Sequence, residues 1–172
     1  RSFLHAGMGW GGGCFRKDTQ ALRAWAKQHN ITSHMINSVI QTNEEQPLQA
    51  VTILKKHLPD LKGKTIGVLG LAFKPNTDDI RDSRSTPIIN ALLSEGAQVK
   101  TFDPQAMQHV KTLFPTITYC TNAKQALDAD AVIIATAWDE FTRLDYSGKL
   151  VIDGRRVPEI KQTAEIYEGV CW

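Results

Sequence analysis

A chain of 172 residues, 42% hydrophobic and 22% charged, is long enough to bury one core and a smaller appendage. Its net charge of +2, with basic residues spread rather than blocked, gives no case for nucleic-acid binding. No apolar run approaches the roughly 20 residues that cross a bilayer, no signal peptide is visible, and three widely spaced cysteines (Cys14, Cys120 and Cys171) argue against a disulfide framework or a zinc site and for a reducing cytosol.

The first stretch of note is Gly7-Met8-Gly9-Trp10-Gly11-Gly12-Gly13-Cys14-Phe15-Arg16-Lys17-Asp18, which holds five of the twelve glycines. Glycine at this density is entropically costly unless the backbone turns sharply or lies against a ligand. The spacing of Ala21, Leu22, Trp25 and Ala26 predicts a helix over 19–30. Asp18 then falls at its N-cap or first turn, and Cys14 on the loop just before it. A thiolate there is stabilised by the helix N-terminus and by Lys17. Asp18, four residues on, is placed to steer a water or share a proton, the layout of a covalent nucleophile with an acid/base partner. The same residues also fit a small buried cysteine after an ordinary glycine loop.

Next, Ser33 can cap a long helix over 33–58. Its face is Ile36, Ile40, Asn43, Pro47, Val51, Leu54 and Leu58, with a kink or break at Pro47. That face serves either the chain's own core or a subunit seam. Pro59, Asp60 and Gly63 mark a boundary near residue 60. Beyond it, apolar runs read as strands over 65–71, 98–102, 117–120 (an edge), 131–136 (central), 149–153 and 166–170. Helical stretches start at Ser85 or Thr86, with Pro87 in the first turn and Gly96 at the end, and run over 105–114, 122–128 and 138–144. This alternation predicts an α/β fold: a parallel, Rossmann-like sheet domain over 61–172, preceded by a cysteine loop and α-helical segment over 1–60.

Ligands of such sheets sit outside the strand carboxyl ends. Gly67-x-x-Gly70-x-x-Phe73-Lys74 lies there but lacks a full dinucleotide fingerprint. The polar loop from Lys74 to Ser83 brings Lys74 and Arg81 to that edge, either for phosphate or a partner loop, or as solvated charge. Asp153-Gly154-Arg155-Arg156 sets two arginines at a strand end, suited to an anion or only to the surface.

The segment from Phe3 to Asp18 resembles the active-site signature F-L-x-x-G-x-G-[FY]-G-G-S-C-F-x-K-D of the UDP-glucose/GDP-mannose dehydrogenases. It departs at Trp10, at Gly13 in place of serine, and at Arg16 where proline is common. Gly70-Leu71-Ala72-Phe73-Lys74-Pro75-Asn76-Thr77-Asp78-Asp79-Ile80-Arg81-Asp82-Ser83 is similar to the same family's G-L-x-F-K-P-x-T-D-D-x-R-x-S, and Phe102-Asp103-Pro104 and Asp153-Gly154-Arg155-Arg156 match its later landmarks. The likeness covers nearly the whole chain.

The resemblance implies oxidation of a nucleotide sugar's primary alcohol to a carboxylate with NAD, UDP-glucose first, with GDP-mannose and UDP-N-acetylmannosamine as alternatives. It implies Cys14 as nucleophile, Asp18 as base, and Lys17 beside the cofactor or holding Cys14 as thiolate. Substrate contacts are implied for Phe3, Leu4, His5, Gly7, Gly9, Trp10, Gly11, Phe73, Lys74, Arg155 and Arg156, with Arg81 on the NAD side and no metal. It further implies a homodimer through the central helix. The chain is then expected to be the part of a larger enzyme from the cysteine onward, inactive without an upstream NAD-binding domain. A reading of another class is a non-catalytic nucleotide-sugar-binding and dimerisation module with Cys14 merely structural.

Overall fold

The computed structural model of the chain describes residues 6–171. Among the described residues six strands form: β1 (Thr65–Leu69), β2 (Gln98–Phe102), β3 (Thr118–Tyr119), β4 (Ala131–Ile134), β5 (Leu150–Asp153) and β6 (Ile166–Gly169). They make one sheet in the order β3-β2-β1-β4-β5-β6, and every neighbouring pair is parallel. The expected α/β, Rossmann-like parallel sheet is therefore the observed one, with the strand order reversing between β1 and β4.

All four residues of β4 are fully buried, as a continuous apolar run between two covered faces must be. Ile66, Val68 and Leu69 of β1 and Val151 and Ile152 of β5 join it in the core. Each such large aliphatic side chain contributes about 1.5–3 kcal/mol on leaving water. β1 stops two residues short of expectation, because Gly70 turns the chain at φ 94 and closes against Thr136, whose Oγ1 donates to Ala72 O at 2.6 Å. The chain then crosses the carboxyl edge before α4 (Ser85–Ser94) brings Ile88, Ile89 and Leu92 back onto the core.

The helical segment consists of α1 (Gly13–Gln28), α2 (His34–Glu45) and α3 (Leu48–His57). The expected start of the first helix at residue 19 is corrected: Gly12, at φ 82, is the N-cap, and nothing after it stops the helix from beginning at Gly13. Cys14 therefore stands inside the first turn, and Asp18 lies beyond it rather than at the cap. Of the expected apolar face only Ala26 is buried, while Leu22 and Trp25 face water. The helix over 33–58 breaks outright at Pro47. Ser33 occupies the N-cap of α2 without making a side-chain cap bond. Its stripe is covered by this chain itself: Ile40, Asn43, Val51 and Leu54 are buried, and α3 packs on α4 and β5. The outer face of α1 and α2 keeps Leu22, Trp25, Met35 and Val39 exposed.

The remaining helices are shorter than expected, α5 being Met107–Lys111 and α6 Ala123–Ala126, the latter capped by Asn122 Oδ1 accepting from Gln125 N. A 3-10 turn spans Asp139–Arg143, and α7 (Pro158–Lys161), with proline at its start, is an element the sequence reading omitted.

Candidate active site

The glycine loop lies across the carboxyl ends of β1 and β5, where the sheet geometry sets a ligand site. Gly12 N–H donates to Arg81 O at 2.8 Å, pinning the start of α1 to the loop that follows β1. Gly12 faces the Phe73 ring so closely that a Cβ there would come within 2.8 Å of it. With φ at 82 as well, this position admits only glycine. At the other end Gly7 lies against Gly154 O and the Arg155 guanidinium, and Gln46 Nε2 and Cys171 Sγ both donate to Gly7 O, at 3.2 and 3.1 Å. Trp10 is half-buried, its ring 6.0 Å from that of Phe15.

Cys14 is exposed, so its reading as a small core residue is set aside. Asp18 is one turn further along α1, and its carboxylate pairs with Lys17 Nζ at 2.8 Å, both side chains being mostly in water. That hydrogen bond to Asp18 is the main cause holding the Lys17 ammonium above its ordinary range, and Cys14 adds to it. Arg81 comes in from the β1–α4 loop beside Gly13. Its Nε and Nη2 grip the Asp79 carboxylate at 2.7–3.0 Å, and this pairing raises the guanidinium and pulls Asp79 below the usual carboxylate range. Cys14 also acts on Arg81. Cys14 thus shares the first two turns of α1 and the loop against them with two ion pairs, Lys17 with Asp18 and Arg81 with Asp79, in an open, charged setting.

Phe73 is half-buried beneath the glycines, and Lys74 is exposed with Nζ 5.5 Å from the Phe73 ring centroid. Arg155 turns inward: its backbone N–H donates to Asp153 Oδ1 at 2.7 Å and its Nε to Ala135 O at 2.6 Å. Burial pulls this guanidinium down to about 10, with Arg84 adding to the effect. Arg156 instead points to solvent from a backbone at φ 58, a conformation that costs a non-glycine residue about 1–3 kcal/mol. The expected residues thus divide in two. Cys14, Lys17, Asp18, Gly11, Arg81, Phe73 and Lys74 gather at the β1 side, whereas Arg155 lies against Gly7 at the β5 side and Arg156, next to it in sequence, faces solvent. Gly9 and Trp10 lie between them against α2. Phe3, Leu4 and His5 lie outside the described residues.

Several residues that build this edge were given no site role from sequence. Asp103 is fully buried and accepts from Leu71 N, Ala72 N, Gln105 N, Ala106 N and Trp138 Nε1 at 2.6–3.1 Å, which shapes the segment leading to Phe73 and Lys74. Asp153 does the same for the arginine pair, accepting from Arg155 N, Val157 N and Tyr167 OH. In the sequence both had stood only as parts of the family landmarks Phe102-Asp103-Pro104 and Asp153-Gly154-Arg155-Arg156, with no role of their own. Asn43 and Arg84 are buried behind the glycine loop. A polar residue at an apolar stripe position was the only trace of the first. Among the described residues no cluster of His, Cys, Asp and Glu is arranged to hold a metal.

The chain matches two family models: the UDP-glucose/GDP-mannose dehydrogenase family, UDP binding domain, over residues 67–159, and the same family's central domain over residues 1–45. UDP-glucose 6-dehydrogenase AglM of Haloferax volcanii is 45% identical over 162 residues, which are 91% of this chain and 37% of that protein. The structure of a UDP-glucose dehydrogenase from the archaeon Pyrobaculum islandicum superposes with a TM-score of 0.93 at 43% identity, over 97% of this chain and 39% of that one. A GDP-mannose dehydrogenase from Pseudomonas aeruginosa shares the fold, with a TM-score of 0.83 at 24% identity, over 99% of this chain and 41% of the other. The chain spans about two fifths of the length of these relatives.

Proposed function

Because the chain belongs to the UDP-glucose/GDP-mannose dehydrogenase family, we propose that it supplies the nucleophile and the UDP-sugar domain of an NAD-dependent UDP-glucose 6-dehydrogenase working in the cytosol. The observation that carries this reading is Cys14 exposed in the first turn of α1, with Lys17 and Arg81 close to it and Asp18 one turn on.

Oxidising a primary alcohol to a carboxylate passes through an aldehyde, which must not escape. Cys14 captures it: the sulfur adds to the carbonyl carbon, and the oxygen takes a proton, giving a thiohemiacetal. Loss of a hydride from that carbon, with the hydroxyl proton passing to water, leaves a thioester. Water adds to the thioester, Asp18 takes its proton, and the Cys14 sulfur leaves with the carboxylate released. Lys17 and Arg81 are the cations that stand beside the sulfur as it adds and leaves. Lys74, Arg155 and Arg156 bracket the sugar-nucleotide diphosphate from the β1 and β5 sides, where their charge offsets that of the phosphates. Phe73 and Gly7 to Gly11 wall the sugar, and the family resemblance assigns substrate contacts to Phe3, Leu4 and His5 as well.

When bound, NAD supplies the hydride acceptor for both oxidations. The β1 turn does not cradle a dinucleotide: Gly70 is closed by Thr136, and no helix begins until Ser85. Arg81, exposed beside Cys14, fits one edge of such a cofactor, so we assign the rest of its site to residues beyond the 172 and expect this chain alone to be inactive. The exposed Leu22, Trp25, Met35 and Val39 support a homodimer through the helical segment, on its outer face.

The test is a panel of nucleotide sugars offered with NAD to the full-length protein, following NADH and uronate together. UDP-glucuronate at two NADH per sugar is expected. Turnover of GDP-mannose or UDP-N-acetylmannosamine instead moves the substrate assignment within the family. No turnover, with Cys14 alkylated no faster than Cys171, favours the non-catalytic module.

A further inference from the structure

Behind the glycine loop lies a buried polar circuit that contributes no group to the chemistry. Asn43, on the last turn of α2, is only 6% exposed and faces Trp10. Trp10 N–H donates to Asn43 Oδ1 at 2.7 Å, and Asn43 Nδ2 donates to Trp10 O at 3.3 Å. One side chain thus satisfies both backbone groups of Trp10, as an adjacent strand would. Gly9, at φ 90, runs so close that a Cβ would strike the Asn43 side chain and lie 3.2 Å from its carbonyl.

Arg84 stands behind Asn43, 4% exposed. Its Nη1 donates to Asn43 O at 3.0 Å, its Nε and Nη2 donate to Asp82 O at 3.1 and 2.8 Å, and it pairs with the Asp82 carboxylate. That carboxylate also takes Arg16 Nη1 at 3.3 Å. Arg16, one of the three departures from the family signature, is two residues past Cys14 on α1. Cys14 therefore sits between two attachments, Trp10 four residues before it and Arg16 two after, and both lead to the same buried pair of Asn43 and Arg84.

A buried ion pair is weak evidence for stability, because desolvation offsets most of its attraction. Its worth here is geometric. We propose that Asn43, backed by Arg84, is a positioning residue, fixing the glycine loop and with it the place of Cys14 relative to the sugar's reacting carbon. This rests on the reading of Cys14 as the nucleophile of a nucleotide-sugar dehydrogenase.

Two variants in the full-length enzyme test it. Asn43→Leu keeps the branched shape at a larger volume and removes both bonds to Trp10, while Asn43→Asp keeps the shorter one. Asn43→Leu is expected to lower kcat about 30-fold or more while KM stays within about 3-fold, since a misplaced reacting group loses rate rather than substrate affinity. Asn43→Asp retains kcat to within about 5-fold. Native-state hydrogen exchange at Trp10 N–H, which needs no turnover, should quicken about 10-fold or more in Asn43→Leu and stay near wild type in Asn43→Asp. Wild-type kcat and Trp10 exchange in Asn43→Leu overturn the proposal. So does a loss of kcat in both variants that follows their thermal midpoints. If the wild type oxidises no nucleotide sugar, the functional reading fails instead, and Trp10 exchange alone then upholds or overturns the hold of Asn43 on the loop.

Discussion

In the sheet, Ile66, Val68 and Leu69 of β1 and every residue of β4 are sealed from water, whereas in α1 and α2 only Ala26, Ile40 and Asn43 are buried and Trp25 and Met35 are 51% and 78% exposed. The two regions draw their order from different sources. The sheet is held by apolar area. The helix bearing Cys14 is held by a few directed contacts: Gly12 N to Arg81 O, Trp10 to Asn43, and Arg16 to Asp82. A cysteine carried this way can be placed by polar geometry without the sheet being rebuilt, and the outer faces of α1 and α2 remain for other surfaces.

The sharpest way to separate the regions is Cys14→Ser in the full-length enzyme. Uronate formation should be lost, while the unfolding free energy moves by less than about 0.5 kcal/mol, as for exposed positions generally. Near-normal uronate formation refutes the nucleophile. Asp18→Asn is expected to slow turnover by about 100- to 10,000-fold, the usual scale for a general base, again with little change in urea unfolding. The converse is Ile133→Ala in the centre of β4, which should cost about 2–5 kcal/mol in the urea midpoint. Cys14 alkylation below the transition should be unchanged in that variant. If alkylation changes as much as stability does, the two regions are one cooperative unit and the contrast fails.

Much of the sheet was legible in advance. β2 was read to its ends, because Gly96 before it and Asp103-Pro104 after it punctuate the run. The glycine loop was legible because five glycines before a cysteine have few other uses. The start of α1 was not. Periodicity follows apolar residues, and on this helix they are not what the fold buries, so the first six helical residues were read as loop. Asp103, Asn43 and Arg84 were hidden for another reason. Each acts through partners 31 to 41 residues away in sequence, such as Asp103 with Ala72 and Arg84 with Asn43. No local spacing reports such pairs. α7 was missed because it is four residues long, too short to show a period.

A smaller effect lies in the loop joining the two regions. Asp79 is held below its ordinary value of 3.8 chiefly by the hydrogen bonds from Arg81. A carboxylate depressed in the folded state contributes stability that is fully present above its unfolded value and is lost as pH falls through the folded one. The difference in thermal midpoint between wild type and Asp79→Asn should therefore be constant from pH 7 to about 5 and shrink below about pH 4. A difference that grows on acidification contradicts the assigned pairing.

The measurement closest to the central claim is mass spectrometry of the Asp18→Asn full-length enzyme mixed with UDP-glucose and NAD. With thioester hydrolysis slowed, the account predicts a UDP-glucuronyl adduct on the peptide that contains Cys14, removed by hydroxylamine and absent when Cys14 is also changed to serine. Steady formation of UDP-glucuronate with no adduct on Cys14, or with the adduct on another residue, would contradict it.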